Sequence, residues 1–200
     1  MLNRRQFLCG ANTALIAGGL SGCGWLGISG GPSRTAGYGG GALYDPTDRR
    51  LRTDEIMKQH IRVFEDIRLN AFKGPSGMTL IGYGHAKYAR MGMRITYAQA
   101  EELLEYDLRN HEAGVKRRLR RPIRLNEFSA MSALAYNVGV GAFSKSSILR
   151  RFNQGDRHAA ADAFLLWNKY RKDGVLTVSQ HLARRRANER LHFLGQKIRV

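Results

Sequence analysis

Cysteine is nearly absent from this chain. Only Cys9 and Cys23 occur in 200 residues, both ahead of the region expected to fold. The folded part therefore has no disulfide framework and no cysteine-built metal site. Acid is also scarce: 16 Asp and Glu stand against 33 Lys and Arg, giving a formal net charge of +17 and a pI near 10.6. Such a surface favours polyanions, whether nucleic acid, anionic lipid or an acidic polymer. No recognisable DNA-reading motif accompanies the charge, and there is no internal repeat and no serine–base motif. The length suits one domain with appended segments. A folded part of about 150 residues buries roughly 70% of its chain surface, enough for a core without staples.

The N-terminus carries an address. Arg4-Arg5 precedes an uncharged run from Phe7 to Gly22, the basic-then-apolar order of an export signal. The run is rich in Gly and Ala and contains Asn12 and Thr13, so it makes a weak membrane span. Asn3-Arg4-Arg5-Gln6-Phe7-Leu8 resembles a twin-arginine motif, and Leu20-Ser21-Gly22-Cys23 resembles a bacterial lipobox. In the lipobox reading Cys23 becomes the lipidated first residue, and more than one acyl chain is needed for a firm anchor. The remaining reading is a signal-anchor that later leaves the membrane. All three place the domain outside the cytoplasm, which argues against a nucleic-acid partner. Residues 1–23 are thus read as signal and 24–52 as a tether, since Gly24 to Gly41 holds eight glycines and no acid. Residues 53–200 are read as the folded domain.

The chemistry-bearing stretch is Phe64 to His85. Thr53-Asp54-Glu55-Ile56 reads as a helix start with Thr53 as cap. Ile56, His60, Val63 and Phe64 keep helical spacing, and Glu65 lands near the helix end. Phe64 and Ile67 beside it are expected to desolvate its carboxyl, the condition that lets an acid hold a proton. A loop over Lys73 to Gly77 leads into a Gly-punctuated strand, Leu80 to His85, where Gly82 and Gly84 permit close backbone approach. Tyr83 offers a ring face and a hydroxyl. His85 is read as structural, paired with an acid of a later helix.

The rest reads as helical. Thr96-Tyr97-Ala98-Gln99 is a capping box, opening a long helix through Ala100, Leu103, Leu104, Leu108, His111, Val115 and Leu119, with Gly114 as a bend or end. Arg109 to Arg124 holds seven basic residues and one acid; it is either a solvated face or an attractor for anionic polymer or lipid. Phe128, Met131, Leu134, Ala135 and Val138 form the buried stripe of a further helix. Gly139 and Gly141 reverse the chain, and Ser146 and Ser147 cap the helix near Ile148. Ala159 to Tyr170 is read as one helix with Phe164 and Trp167 in the core, Asp173-Gly174 as a hairpin-like turn, and Ser179 to Leu194 as the last helix, where Arg186 and Glu189 pair.

Three segments carry a family resemblance: Phe64-Glu65-x-x-Arg68-Leu69-x-Ala71-Phe72 with Gly77-x-Thr79-x-Ile81-Gly82-Tyr83-Gly84-His85; Phe128 to Phe152; and Arg185-Arg186-x-x-Glu189. Together they resemble phage-type lysozymes, glycoside hydrolase family 24, over about residues 53–195. The resemblance implies an α+β, mainly helical fold, with a small β-hairpin lobe and a larger helical lobe joined by a long helix. It implies a muramidase acting on the β-1,4 bond between N-acetylmuramic acid and N-acetylglucosamine in peptidoglycan, with no metal and no cofactor, working as a monomer. It makes Glu65 the general acid and places Tyr83 and Asn137 at the substrate, Asn137 being otherwise a helix C-cap. Two positions depart from the pattern. Gly74 stands where the family has Asp, and Leu80 where it has Thr; Thr79 is one step early, on the opposite face of a strand, and is retained as a candidate catalytic residue. Inverting hydrolysis uses a second carboxylate to activate water. Its absence leaves three readings: Asp66 or another acid stands in, although Asp66 beside Glu65 on a helix points elsewhere; the sugar's own hydroxyl attacks, as in lytic transglycosylases, where one Glu suffices; or the domain binds glycan without cutting it. Cleavage by Glu65 alone, as hydrolase or transglycosylase, ranks first.

Overall fold

The computed structural model describes residues 41–74, 76–172 and 174–198. The expected export signal, Cys23 and most of the expected tether lie outside them. Folded structure begins before Thr53: β1 (Leu43–Tyr44) pairs antiparallel with β4 (Ile123–Arg124), and Leu51 is fully buried. A residue that fills a core is not tether, so the end of the expected linker belongs to the domain.

Two cores define two lobes. The smaller is built on Met57, Ile61, Ile81, Ile95, Leu104 and Leu108. It holds α1 (Glu55–Glu65) and the hairpin of β2 (Arg68–Lys73) and β3 (Thr79–Gly82). In that hairpin Arg68 faces Gly82 and Phe72 faces Leu80, with a bulge between these pairs. The larger core gathers Phe128, Met131, Leu134, Phe143, Phe152, Phe164 and Phe193. The long α2 (Tyr97–Lys116) contributes Ala100, Leu104 and Leu108 to the first core and Val115 to the second, so it joins the lobes as expected. Its capping box forms in both directions, Gln99 N–H to Thr96 Oγ1 and Thr96 N–H to Gln99 Oε1.

α3 (Leu125–Val138) is buried continuously from Glu127 to Asn137. The stripe expected on it is instead a whole circumference, the mark of a central helix. Gly139 ends it at φ 86°, a left-handed conformation that favours glycine. Then follow α4 (Val140–Ser144), α5 (Ser147–Gln154), α6 (Arg157–Ala163), a 3₁₀ turn (Phe164–Trp167), β5 (Lys169–Lys172), β6 (Val175–Val178) and α7 (Gln180–Phe193). Ser146 caps α5 through Leu149 N–H, as read from sequence.

Four expectations need correction. Asp54, not Thr53, caps α1 and accepts from Met57 N–H; Thr53 is drawn away because its own amide donates to buried Glu112. Ile56 and Val63 are exposed while Met57, His60 and Ile61 are buried, so the buried face of α1 is rotated from the expected one. Gly114 neither bends nor ends α2; a Cβ there would stand 2.6 Å from both methyls of Val140, so glycine is what lets α4 seat against α2. The helix expected over 159–170 stops early, because Lys169 to Lys172 pair with Val175 to Val178 across the turn at Gly174.

Candidate active site

Glu65 closes α1. The next residue, Asp66, sits at φ 56°, ψ 144°, which stops the helix and turns the chain into β2. Glu65 is only 6% exposed at its side chain. The expected cause of that burial was an apolar wall; the structure shows an ionic one. Oε1 accepts from Arg185 Nη1 at 2.8 Å and from Asn137 Nδ2 at 3.4 Å. Phe64 does lie alongside, but its ring packs on His60 at 4.6 Å and His181 at 5.0 Å between centroids.

The partners of Glu65 belong to a deeper network. Arg185 Nε donates to Glu189 Oε1 at 3.3 Å, and Arg186 Nη2 donates to the same oxygen at 2.9 Å and to Asn137 Oδ1 at 3.1 Å. Arg186 and Glu189 are wholly buried, and so is His60. His60 Nε2 lies 3.6 Å from Glu189, an electrostatic contact too long for a hydrogen bond. The guanidinium groups of Arg185 and Arg186 thus share the carboxyl groups of Glu65 and Glu189 inside the protein.

Burial sets the ionisation of this network. It pushes Arg186 down to about 10, against the pull of Glu189, so the guanidinium stays charged at neutral pH. Burial pushes Glu189 up, but Arg186, His60 and Arg185 outweigh it and hold the carboxyl below its usual range. Burial also keeps His60 below the usual imidazole range despite Glu189. Arg185 Nη2, Arg186 Nε and Nη1, Glu189 Oε2 and both His60 nitrogens are buried without hydrogen-bond partners. Such a site is costly to assemble and keeps its charges only while all of them are present.

The other sequence candidates fall in different places. Asn137 is 4% exposed and bridges Glu65 to Arg186; it does not cap α3, a role taken by Gly139. Tyr83 belongs to a tight turn in which Ile81 and His85 exchange two backbone hydrogen bonds. Its hydroxyl donates to Glu101 at 2.9 Å, and burial together with that carboxylate pushes the phenol up to about 12. That hydroxyl is directed to α2 rather than to Glu65. His85 pairs with Asp107 of α2 at 3.1 Å, and its other nitrogen accepts from Tyr88 N–H, so the ring carries its proton on the side of Asp107. Thr79 opens β3 opposite Lys73 and is half-buried, while Leu80 beside it is buried. The bulge lies on β2, so alternation along β3 keeps these two on opposite faces. Gly74 is a backbone turn: its N–H donates to Met78 O and its carbonyl accepts from Gly77 N–H. Among the described residues no group of three or more His, Cys, Asp or Glu is placed to hold a metal.

Sequence reasoning paired Arg186 with Glu189 but missed Arg185 as the direct partner of Glu65. One signal was available. Leu182, Arg185, Arg186, Glu189 and Phe193 follow at helical spacing, so apolar ends bracket three charges on one face of α7. Charges bracketed that way are carried into the core.

A family profile described as phage lysozyme matches residues 62–189. The endolysin of Salmonella phage P22 is 38% identical over 136 residues, covering 66% of this chain and 90% of the relative. The SAR-endolysin of Escherichia phage Mu is 29% identical over 113 residues, covering 56% and 66%. Among solved structures, the muramidase domain of SpmX from Asticaccaulis excentricus superposes with a TM-score of 0.69 at 35% identity, covering 72% of this chain and 98% of that one.

Proposed function

This chain belongs to the phage lysozyme family, and from that premise we propose that it cleaves peptidoglycan at the β-1,4 bond between N-acetylmuramic acid and N-acetylglucosamine, with Glu65 as general acid. The observation that carries this is the placement of Glu65. It is a nearly buried carboxyl at the end of a helix, gripped from α3 and α7 and set beside the β2–β3 hairpin. Arg185 and Asn137 fix its direction, so its proton can be delivered to one oxygen of a bound sugar; a positioned acid of this kind is commonly worth about 10²–10⁴-fold in rate. As the glycosidic bond breaks, the leaving oxygen takes that proton. The carboxylate left behind is then stabilised by the guanidinium of Arg185.

The attacking hydroxyl must also lose a proton, and neither Gly74 nor Leu80 can take it. A second reading rests on that observation: glycan binding without cleavage. Export follows from the first 23 residues, with Cys23 as the lipidated residue and the domain held at the cell envelope as a monomer. Among the described residues no helix is long and apolar enough to cross a membrane.

The test is digestion of purified sacculi followed by mass spectrometry of the released muropeptides. The wild type should release fragments and Glu65→Gln should release none. Reducing ends identify water as nucleophile, whereas 1,6-anhydro ends identify the sugar's own hydroxyl. Sedimentation with sacculi and no soluble product from the wild type would overturn cleavage and leave binding.

A further inference from the structure

Resting on the lysozyme reading of Glu65, we propose that His181 is the general base of this site, taking the place of the carboxylate that Gly74 cannot supply. Among the described residues, several titratable groups lie on the elements around Glu65. From α1, His60 is fully buried behind Phe64, and Asp66 turns its carboxylate onto the N–H of Ile67 at 3.0 Å. From α7, Glu189 is fully buried and engaged by both arginines, while Arg184 and Arg185 are cations and cannot accept a proton. From α3 comes Asn137, which is neutral. Across the hairpin turn, Gly74 has no side chain and Lys73 is a cation. Unlike His60 and Glu189, His181 is only partly buried, so solvent reaches it.

Its geometry suits the task. His181 stands one turn before Arg185 on α7, so the two side chains lie on one face of that helix. The ring packs against Phe64 at 5.0 Å between centroids, and Phe64 is the residue immediately before the acid. Arg185, one turn further along that face, donates to Glu65 Oε1 at 2.8 Å.

The protonation state agrees. Burial first, then Arg185 and Arg184, hold His181 below the usual imidazole range, against the smaller pull of the Phe64 carbonyl and Glu65. The position is the second residue of α7, where the positive end of the helix dipole also disfavours imidazolium. At neutral pH the ring is free to accept a proton.

Water attacks the anomeric carbon while His181 takes one of its protons. The bond from that carbon to the bridging oxygen breaks, and Glu65 gives its proton to that oxygen. One water is consumed and a reducing end appears. The imidazolium and the Glu65 carboxylate return to their starting states by exchange with solvent.

Three proteins test this in the sacculus assay: wild type, His181→Gln and His181→Ala, each first shown by thermal melting to be folded. Both variants should lose about 10²–10⁴-fold in kcat with KM changed less than threefold. The acidic limb of the wild-type kcat/KM profile should vanish in His181→Gln, and added imidazole should restore part of the activity of His181→Ala. A His181→Gln enzyme within threefold of wild type that keeps its acidic limb refutes the base while leaving Glu65 in its role. Loss of activity with the acidic limb kept and no imidazole rescue also refutes it, since that is what a structural role gives. A wild type that releases no fragments at any pH overturns the lysozyme reading and this inference together.

Discussion

Removing one charge from the buried network should destabilise the domain severely, and Glu189→Gln is the cleanest way to do it. Glu189 accepts from Arg186 at 2.9 Å and from Arg185 at 3.3 Å, with His60 at 3.6 Å. Glutamine keeps the shape and one acceptor but removes the negative charge. Arg186 is then a fully buried cation hydrogen-bonded to neutral amides only, that of Asn137 and the one introduced at position 189. Breaking a buried pair from one side costs about 3–5 kcal/mol. That is a large share of the ~5–15 kcal/mol that holds an ordinary domain together. At about 2–4 °C per kcal/mol for a domain of this size, the melting temperature should fall by roughly 6–20 °C. Urea titration should show a lower midpoint with an unchanged slope. Removing both partners, as Arg186→Met with Glu189→Leu, should recover most of the loss, because packed apolar groups replace a pair that was expensive to desolvate. A drop of less than about 2 °C for Glu189→Gln, or a double variant no better than the single one, would show that Glu189 does not neutralise Arg186.

The remaining predictions concern other pressures on the fold. Gly114→Ala drives a Cβ to 2.6 Å from both Val140 methyls; overpacking of about 1–3 kcal/mol should exceed the ~1 kcal/mol of helix propensity gained, and Val140→Ala in the same chain should relieve it in thermal melts. Asp66 holds φ 56°, ψ 144° without being glycine, a strain of about 1–3 kcal/mol, so Asp66→Gly should raise the urea midpoint even after glycine's own entropic cost of about 0.5–1 kcal/mol. Stability should also depend on pH. His60 and His181 are held below their unfolded value near 6.5, by burial first; their contribution is complete above about pH 6.5 and is lost as pH falls, because the unfolded chain protonates first. Asp54, Glu101 and Glu189 are likewise net lowered and add a further loss below about pH 4.5. Urea midpoints should therefore drop from pH 7.5 to pH 5, and His60→Leu should flatten that drop.

Short-range features were legible in the sequence. The Thr96–Gln99 capping box, the Ser146 cap, the turn at Gly139 and the pairing of Arg186 with Glu189 all form within four residues, so residue type and spacing are enough to call for them. The errors follow one pattern. Thr53 lost the cap of α1 because a buried acid 59 residues away claimed its amide. The face of α1 was misread because Met57 and Ile61, rather than Ile56 and Val63, are buried beside His60. The strands after Trp167 were hidden because neither pairs with anything until the other is in place.

The sequence by itself determined which acid stands at the end of α1, that no second carboxylate occupies position 74, and that the chain is mainly helical with one small hairpin lobe. Only the tertiary structure decided what that acid faces. Arg185 lies 120 residues away and Asn137 lies 72 away, and no local pattern encodes the meeting of α1, α3 and α7. The physical reason is range. A cap is a bond between neighbours, whereas the field at Glu65 is the sum of charges that come together only after two cores have closed around them.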